Sequence, residues 1–227
     1  MMVDLREVIL DTESTGLDYK QGDRIIEIGC IELINKVKTN NYFHTYVNPE
    51  RGVSKGAYNV HGISSDFLKD KPLFRDIAKE FYDFIKDSIL VIHNAKFDIG
   101  FINNEFQMIG MSKISISNVV DTLMIARKKF PGSPANLDAL CKRFNISLDK
   151  RDKHGALIDS ELLAMVYVEL ILGEQTKLKF RSDASKNLNN SIKENFPSRS
   201  FNLTEKEDTL HKEVIKSIPK AIWKDYN

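Results

Sequence analysis

Two short apolar runs constrain this chain most, because each is too short for a buried helix and each ends in polar residues. Glu7 to Glu13 (EVILDTE) is an apolar run closed by two acids. Ile89 to Ile92 is followed by His93-Asn94 and, shortly after, by Asp98. A longer run, Arg24 to Ile34 (RIIEIGCIELI), is separated from the first by the Gly- and Asp-rich stretch TGLDYKQGD, so the two predict a hairpin. Tyr42 to Val47 alternates like a further strand and stops at Asn48-Pro49. Pro72 to Lys86 reads as an amphipathic helix, with Phe74, Ile77, Ala78, Phe81 and Ile85 at helical spacing. Helices are expected over about 97–109, 121–130, 137–144 and 156–172, with a brief strand at Val119-Val120. Three early strands followed by alternating helices and strands predict an α/β architecture, a mixed five-stranded sheet flanked by helices.

After Gly173 the composition changes. Residues 174–200 hold few large apolar side chains and many Asn, Ser and Lys, which predicts a flexible linker. Leu203 to Trp223 regains spaced apolar residues (Leu210, Val214, Ile215, Ile218, Ile222, Trp223), the pattern of a helix that orders against something else. The chain thus reads as a compact domain over 1–173, a linker over 174–200 and an anchoring segment over 201–227.

A length of 227 residues suits one packed domain with an appendage. With 42% apolar and 29% charged residues, and no apolar run near the ~20 residues a bilayer crossing needs, a membrane partner is not expected. The start, MMVDLREVILD, carries Asp4 and Glu7 where a secretory signal would be basic. Cys30 and Cys141 lie far apart without metal-type spacing, as free thiols of a reducing, cytoplasmic protein would. The net charge of +1 gives little general attraction for nucleic acid. Basic groups are local: Arg127, Lys128 and Lys129, then Lys142 and Arg143, then Lys150, Arg151 and Lys153 just before His154. Only the last group is read as touching phosphate.

Residues two apart on a strand share a face, so Asp11 and Glu13 project side by side. Two carboxylates held together away from water repel unless a divalent cation compensates them, and oxygen ligands suit Mg²⁺ or Mn²⁺. Asp98 follows the second run at a strand-to-helix turn, where Asn94 or Asp98 could equally serve as a helix cap. In HGALIDS, a continuous helix would set His154 and Asp159 roughly 140° apart. A helix starting after His154, with Gly155 lending freedom at the junction, leaves the imidazole on a loop and fixes Asp159 in the first turn. Singly, each fragment also fits a bland role as strand end, cap or loop residue. Together, Asp11, Glu13, Asp98 and Asp159 would hold two cations roughly 4 Å apart around a scissile phosphate, with His154 taking a proton from water.

ILDTESTG, VIHNAKFD and HGALIDS resemble the three motifs of the DEDDh exonuclease family, and RIIEIG, NVHGI and NLDALCKRF between them are also similar to it. The resemblance covers about Val8 to Gly173. The tyrosine-bearing branch would need Tyr where this chain has Gly155, so the histidine class is indicated. The resemblance implies a ribonuclease-H-like fold, dependence on Mg²⁺ or Mn²⁺, and release of nucleoside monophosphates from 3′ ends. It also implies that Thr12, Val60, His61 and Phe97 line the pocket for the terminal nucleotide, beside Asp11, Glu13 and Asp159. One departure is Gly56, where some relatives carry an acid five positions before the histidine. His44, His93 and His211 are read as structural or solvated.

Within the family, length and segments such as FDIGF and ARKKFPG are most similar to proofreading exonucleases that work inside a replicative polymerase. Gln175, Leu178 and Phe180 resemble the Q-x-x-L-x-F peptides that dock on a sliding clamp. Implied partners are therefore DNA 3′ ends, a polymerase alpha subunit contacted by 201–227, and the clamp, with a small accessory subunit left open. A free-standing relative acting on RNA or single-stranded DNA would keep the same catalytic residues, and a non-enzymatic adaptor would not need them.

Overall fold

The computed structural model describes residues 4–149, 153–172 and 203–218. The chain divides into two units, Met1–Leu178 and Lys179–Asn227.

The first unit is built on five strands: β1 (Arg6–Ser14), β2 (Ile25–Ile34), β3 (Val37–Tyr46), β4 (Ile89–Ile92) and β5 (Val119–Asp121), in the spatial order β3-β2-β1-β4-β5. The first three are antiparallel, whereas β4 and β5 run parallel to β1. This is the mixed, helix-flanked sheet expected from the runs. β3 starts five residues before the expected Tyr42. Asn35 and Lys36 both adopt positive φ (52° and 69°), the twist-matched geometry of a two-residue hairpin turn. Residues 37–42 lie on the exposed edge, so no inward apolar alternation marks them.

Between β3 and β4 stand α1 (Lys55–His61), α2 (Ser65–Leu68) and α3 (Phe74–Ile85). The first was not foreseen, being only seven residues long without a sustained apolar period. The starts of α1 and α2 are marked by Ser54 and Ser64, whose hydroxyls accept the Ala57 and Phe67 amides. α4 (Ala95–Met108), α5 (Thr122–Lys129), α6 (Leu137–Arg143) and α7 (Ala156–Leu172) follow. α4 begins two residues earlier than expected, because Asp121 at the end of β5 accepts the Asn94 and Ala95 amides and also caps α5 through Leu123.

Alternation along β1 sorts the layers. Val8 and Leu10 face α3 and α4, joining Phe74, Phe81, Ile99 and Phe106. Ile9 faces the other way, with Ile31, Leu33 and Val91 against Leu163, Ala164 and Tyr167 of α7. Cys30 and Cys141 are both buried, and no helix among the described residues is long and apolar enough to cross a membrane.

In the second unit the described part is one helix, α8 (Glu205–Ser217), opened by a reciprocal Thr204–Glu207 cap. Leu210 and Val214 are exposed along it, as is Ile218 just after it. Gln175, Leu178, Phe180, Ile222 and Trp223 lie outside the described residues, as do the whole of the expected linker and both ends of the anchoring segment.

Candidate active site

The same alternation directs the acids at the end of β1. Asp11 and Glu13 share the α7 face, while Thr12 between them points to α4. There the Thr12 amide and hydroxyl both donate to Asp98 Oδ1, at 3.0 and 2.7 Å. Asp98 stands in the first turn of α4, and Asp159 in the first turn of α7; both are 3% exposed. The cap expected of Asn94 or Asp98 comes from Asp121 instead, which leaves Asp98 turned to Thr12. Asp11 feels the charges of Asp98, Glu13 and Asp159, and oxygens of Glu13 and Asp159 lie within 4.8 Å of one another and of a His154 nitrogen.

α7 starts at Ala156, after the histidine. His154 is therefore on the loop, nearly half exposed, with Nδ1 3.0 Å from Asp159 Oδ2. Gly155 contributes less than expected. Its φ is not left-handed, and a Cβ there would make only ordinary contact with Glu27 at 3.9 Å.

Withdrawal from water raises the Asp11 carboxyl well above its ordinary range, and the neighbouring Asp98, Glu13 and Asp159 carboxylates push it further. Burial likewise lifts Asp98 to about 7, against the opposing pull of the Thr12 donors. Acids so placed favour either protons or a cation in their midst. An all-oxygen set of this kind fits a hard divalent ion.

His61 ends α1, before the left-handed Gly62 (φ 73°), and is buried. Its Nδ1 accepts the Ile63 amide, and the ring also lies against the Ser14 backbone. Burial lowers its pKa. It shares with His154 and Lys153 a cavity of about 430 Å³ that also includes Glu27, His44 and Tyr46. Val60 is half exposed, and its carbonyl accepts the His154 amide at 3.4 Å. Phe97 packs on Phe101 at 4.8 Å, next to Asp98. Gly56 is exposed and offers no side chain to a 3′ end.

Among the basic groups, Lys129 is spent on the Leu170 carbonyl and Arg143 stacks on Phe130, whereas Lys153 stands 5.3 Å above the Tyr58 ring beside His154. Lys150 and Arg151 lie outside the described residues. His93 bonds the Thr122 hydroxyl, and His211 is exposed. His44 is not merely a strand residue, since it bonds Glu27 at 2.7 Å. Glu27 itself was overlooked because it sits within an apolar run. Its signal was an acid in the inward column of a buried strand.

Acids brought to one end of a mixed sheet, with a histidine at the rim, define a hydrolytic site of the phosphodiesterase kind. The chain belongs to the exonuclease family, whose pattern matches residues 8–167. It is 51% identical over 228 residues to the DNA polymerase III subunit epsilon of Rickettsia felis, an alignment covering 97% of this chain and all of that protein. It is 45% identical to the subunit of the same name from Buchnera aphidicola (subspecies Baizongia pistaciae), covering 92% of this chain and 89% of that one. Among solved structures it resembles exonuclease X in complex with 5′ overhanging duplex DNA, with a TM-score of 0.60 and 26% identity over 75% of this chain and 94% of that one. The nuclease domain of 3′hExo, a DEDDh family member bound to rAMP, shares the fold at a TM-score of 0.64 and 19% identity, covering 76% of this chain and 94% of that one.

Proposed function

We propose that the chain is a metal-dependent 3′-to-5′ DNA exonuclease, the proofreading subunit of a replicative polymerase, which removes mispaired 3′-terminal nucleotides as nucleoside monophosphates. The observation that carries this reading is the meeting of Asp11, Glu13, Asp98 and Asp159 at one end of the sheet, with His154 at its rim. Likeness over 97% of the chain to a polymerase III subunit supports the replicative setting.

In this reading Asp11, Glu13, Asp98 and Asp159 hold two divalent cations, Mg²⁺ or Mn²⁺, which when bound supply charge neutralisation at the phosphate and a more acidic water. Asp159 orients the imidazole through Nδ1, so His154 Nε2 is the atom that takes the proton from the attacking water. Thr12 keeps the Asp98 carboxylate turned toward the site. His61, Val60 and Phe97 bound the space for the terminal nucleotide. Lys153 adds a positive charge beside His154 for the phosphate.

The exposed Leu210 and Val214 of α8, with Ile218 just after it, support an anchoring role for residues 201–227 on the polymerase alpha subunit, and Gln175, Leu178 and Phe180 are assigned to the sliding clamp. The partner set leaves room for a small accessory subunit, and the setting is the cytoplasm. Tethering raises the effective concentration at the primer end, which offsets the weak attraction expected from a net charge of +1. The test is timed digestion of paired and mispaired DNA and RNA primers with Mg²⁺, with and without chelator and polymerase. Metal-dependent removal of mispaired DNA ends, enhanced by polymerase, is expected. Preferential turnover of RNA, indifferent to polymerase, would contradict it.

A further inference from the structure

The cavity beside His154 contains one buried acid that the proposed chemistry does not use. Glu27 is 3% exposed and lies opposite Glu13 across β1 and β2, so its side chain projects to the α7 face as well. Its Oε1 is 2.7 Å from His44 Nε2, and the Tyr46 hydroxyl bonds to the same carboxylate. Its Oε2 accepts the Ala156 amide at 3.1 Å, on the first residue of α7. A buried acid with its oxygens committed to donors is a fixed anchor, and a helix N-terminus favours the negative charge.

We propose that Glu27 is a positioning residue for His154. Ala156 is two residues beyond the imidazole, and the described ties of this stretch include the His154 amide to Val60 at 3.4 Å, Nδ1 to Asp159, and the Asp159 amide to the Gly155 carbonyl at 2.8 Å. Asp159 has a further hold on the sheet, because its neighbour Ser160 donates to the Gly29 carbonyl at 2.9 Å. Loss of the Glu27 carboxylate therefore loosens Ala156 and the His154 loop ahead of it, while the Ser160 bond keeps Asp159 on the sheet. His44 and Tyr46 on β3 orient the carboxylate, which links a strand at the sheet edge to the catalytic loop.

The inference rests on His154 being the proton acceptor, and its test is a double-mutant cycle on the full chain with a DNA primer. Glu27→Ala is expected to lower kcat about 10²-fold, the usual scale for a displaced catalytic group. KM should hold, as should the Mn²⁺ affinity measured by calorimetry without DNA. Exchange of the Ala156 amide in the metal-free chain should become faster. Glu27→Gln, which keeps an oxygen for that amide, should retain most of kcat and the slow exchange. In a His154→Ala background Glu27→Ala should produce no further loss. Equal losses with and without His154, or a fall in Mn²⁺ affinity, would overturn the proposal. Undiminished turnover by His154→Ala alone would overturn the assignment of His154 first, and this inference with it. Should Glu27→Ala fail to fold, His44→Ala enters the same cycle from a partly exposed position. A several-fold loss of kcat that depends on His154 is then expected, and no loss would overturn the proposal.

Discussion

Gly29 lies against Ala156 so closely that a methyl group on its α-carbon would stand 2.3 Å from the Ala156 carbonyl carbon. Gly29 is also the residue paired with Asp11 across β1 and β2. The bare backbone there lets the start of α7 settle on the sheet beside Asp11, and with it Asp159. Gly29→Ala should therefore push α7 away from the acids. Stability should fall by about 1–3 kcal/mol through overpacking, and turnover should fall further than stability, by about 10²-fold. Thermal unfolding and primer digestion on the same sample check this. Full activity in the variant would show that the contact does not place Asp159.

Thr12 directs Asp98 through two donors on one oxygen. Thr12→Val keeps the amide and the volume but removes the hydroxyl. The expected cost is about 1 kcal/mol of stability and about 10-fold or more in Mn²⁺ affinity, as for other partners of ligating carboxylates. Calorimetric titration of Mn²⁺ into both proteins measures it.

The raised Asp98 carboxyl makes stability depend on pH in a stated direction. In the folded, metal-free chain it holds its proton up to about 7. The unfolded chain releases that proton near the ordinary carboxylate value of about 4. Between the two the native state binds more protons, so stability falls as pH rises, and the loss is complete above the folded value. A divalent cation replaces the proton and removes the penalty. The rise in Tm caused by Mn²⁺ should be larger at about pH 8 than at about pH 5. Equal rises would contradict the assignment.

Asp98→Asn should separate stability from function. The amide oxygen keeps an acceptor for the Thr12 donors, while the charge that burial and its acidic neighbours disfavour is gone. The metal-free variant should unfold at a higher temperature than the parent at about pH 8, match it at about pH 5, and lack metal-dependent turnover. A lower Tm at both values would mean that the acid stabilises the fold.

The strands were legible because inward alternation is a property of local sequence, and Asp11 and Glu13 stood out as acids two apart at the end of such a run. The offset of His154 from Asp159 was legible from helical angle alone, given a helix starting after the histidine. Residues 37–41 were not, because an exposed edge strand makes no apolar demand. α1 was not, because its seven residues are fixed by the Ser54 cap and by tertiary contacts such as buried His61. Glu27 and His44 were missed for a related reason. Their roles depend on an amide that lies 129 residues further along the chain than Glu27, a relation that only the folded arrangement brings together.

On the proposed reading, residues from β1, α4 and α7 would gather the cations. The direct measurement is anomalous scattering from crystals of the full chain grown with Mn²⁺ and a nucleoside monophosphate. Two peaks bounded by the carboxylates of Asp11, Glu13, Asp98 and Asp159 are predicted, and both should vanish in Asp11→Ala. Peaks located elsewhere, or a site that ignores the loss of Asp11, would contradict the account.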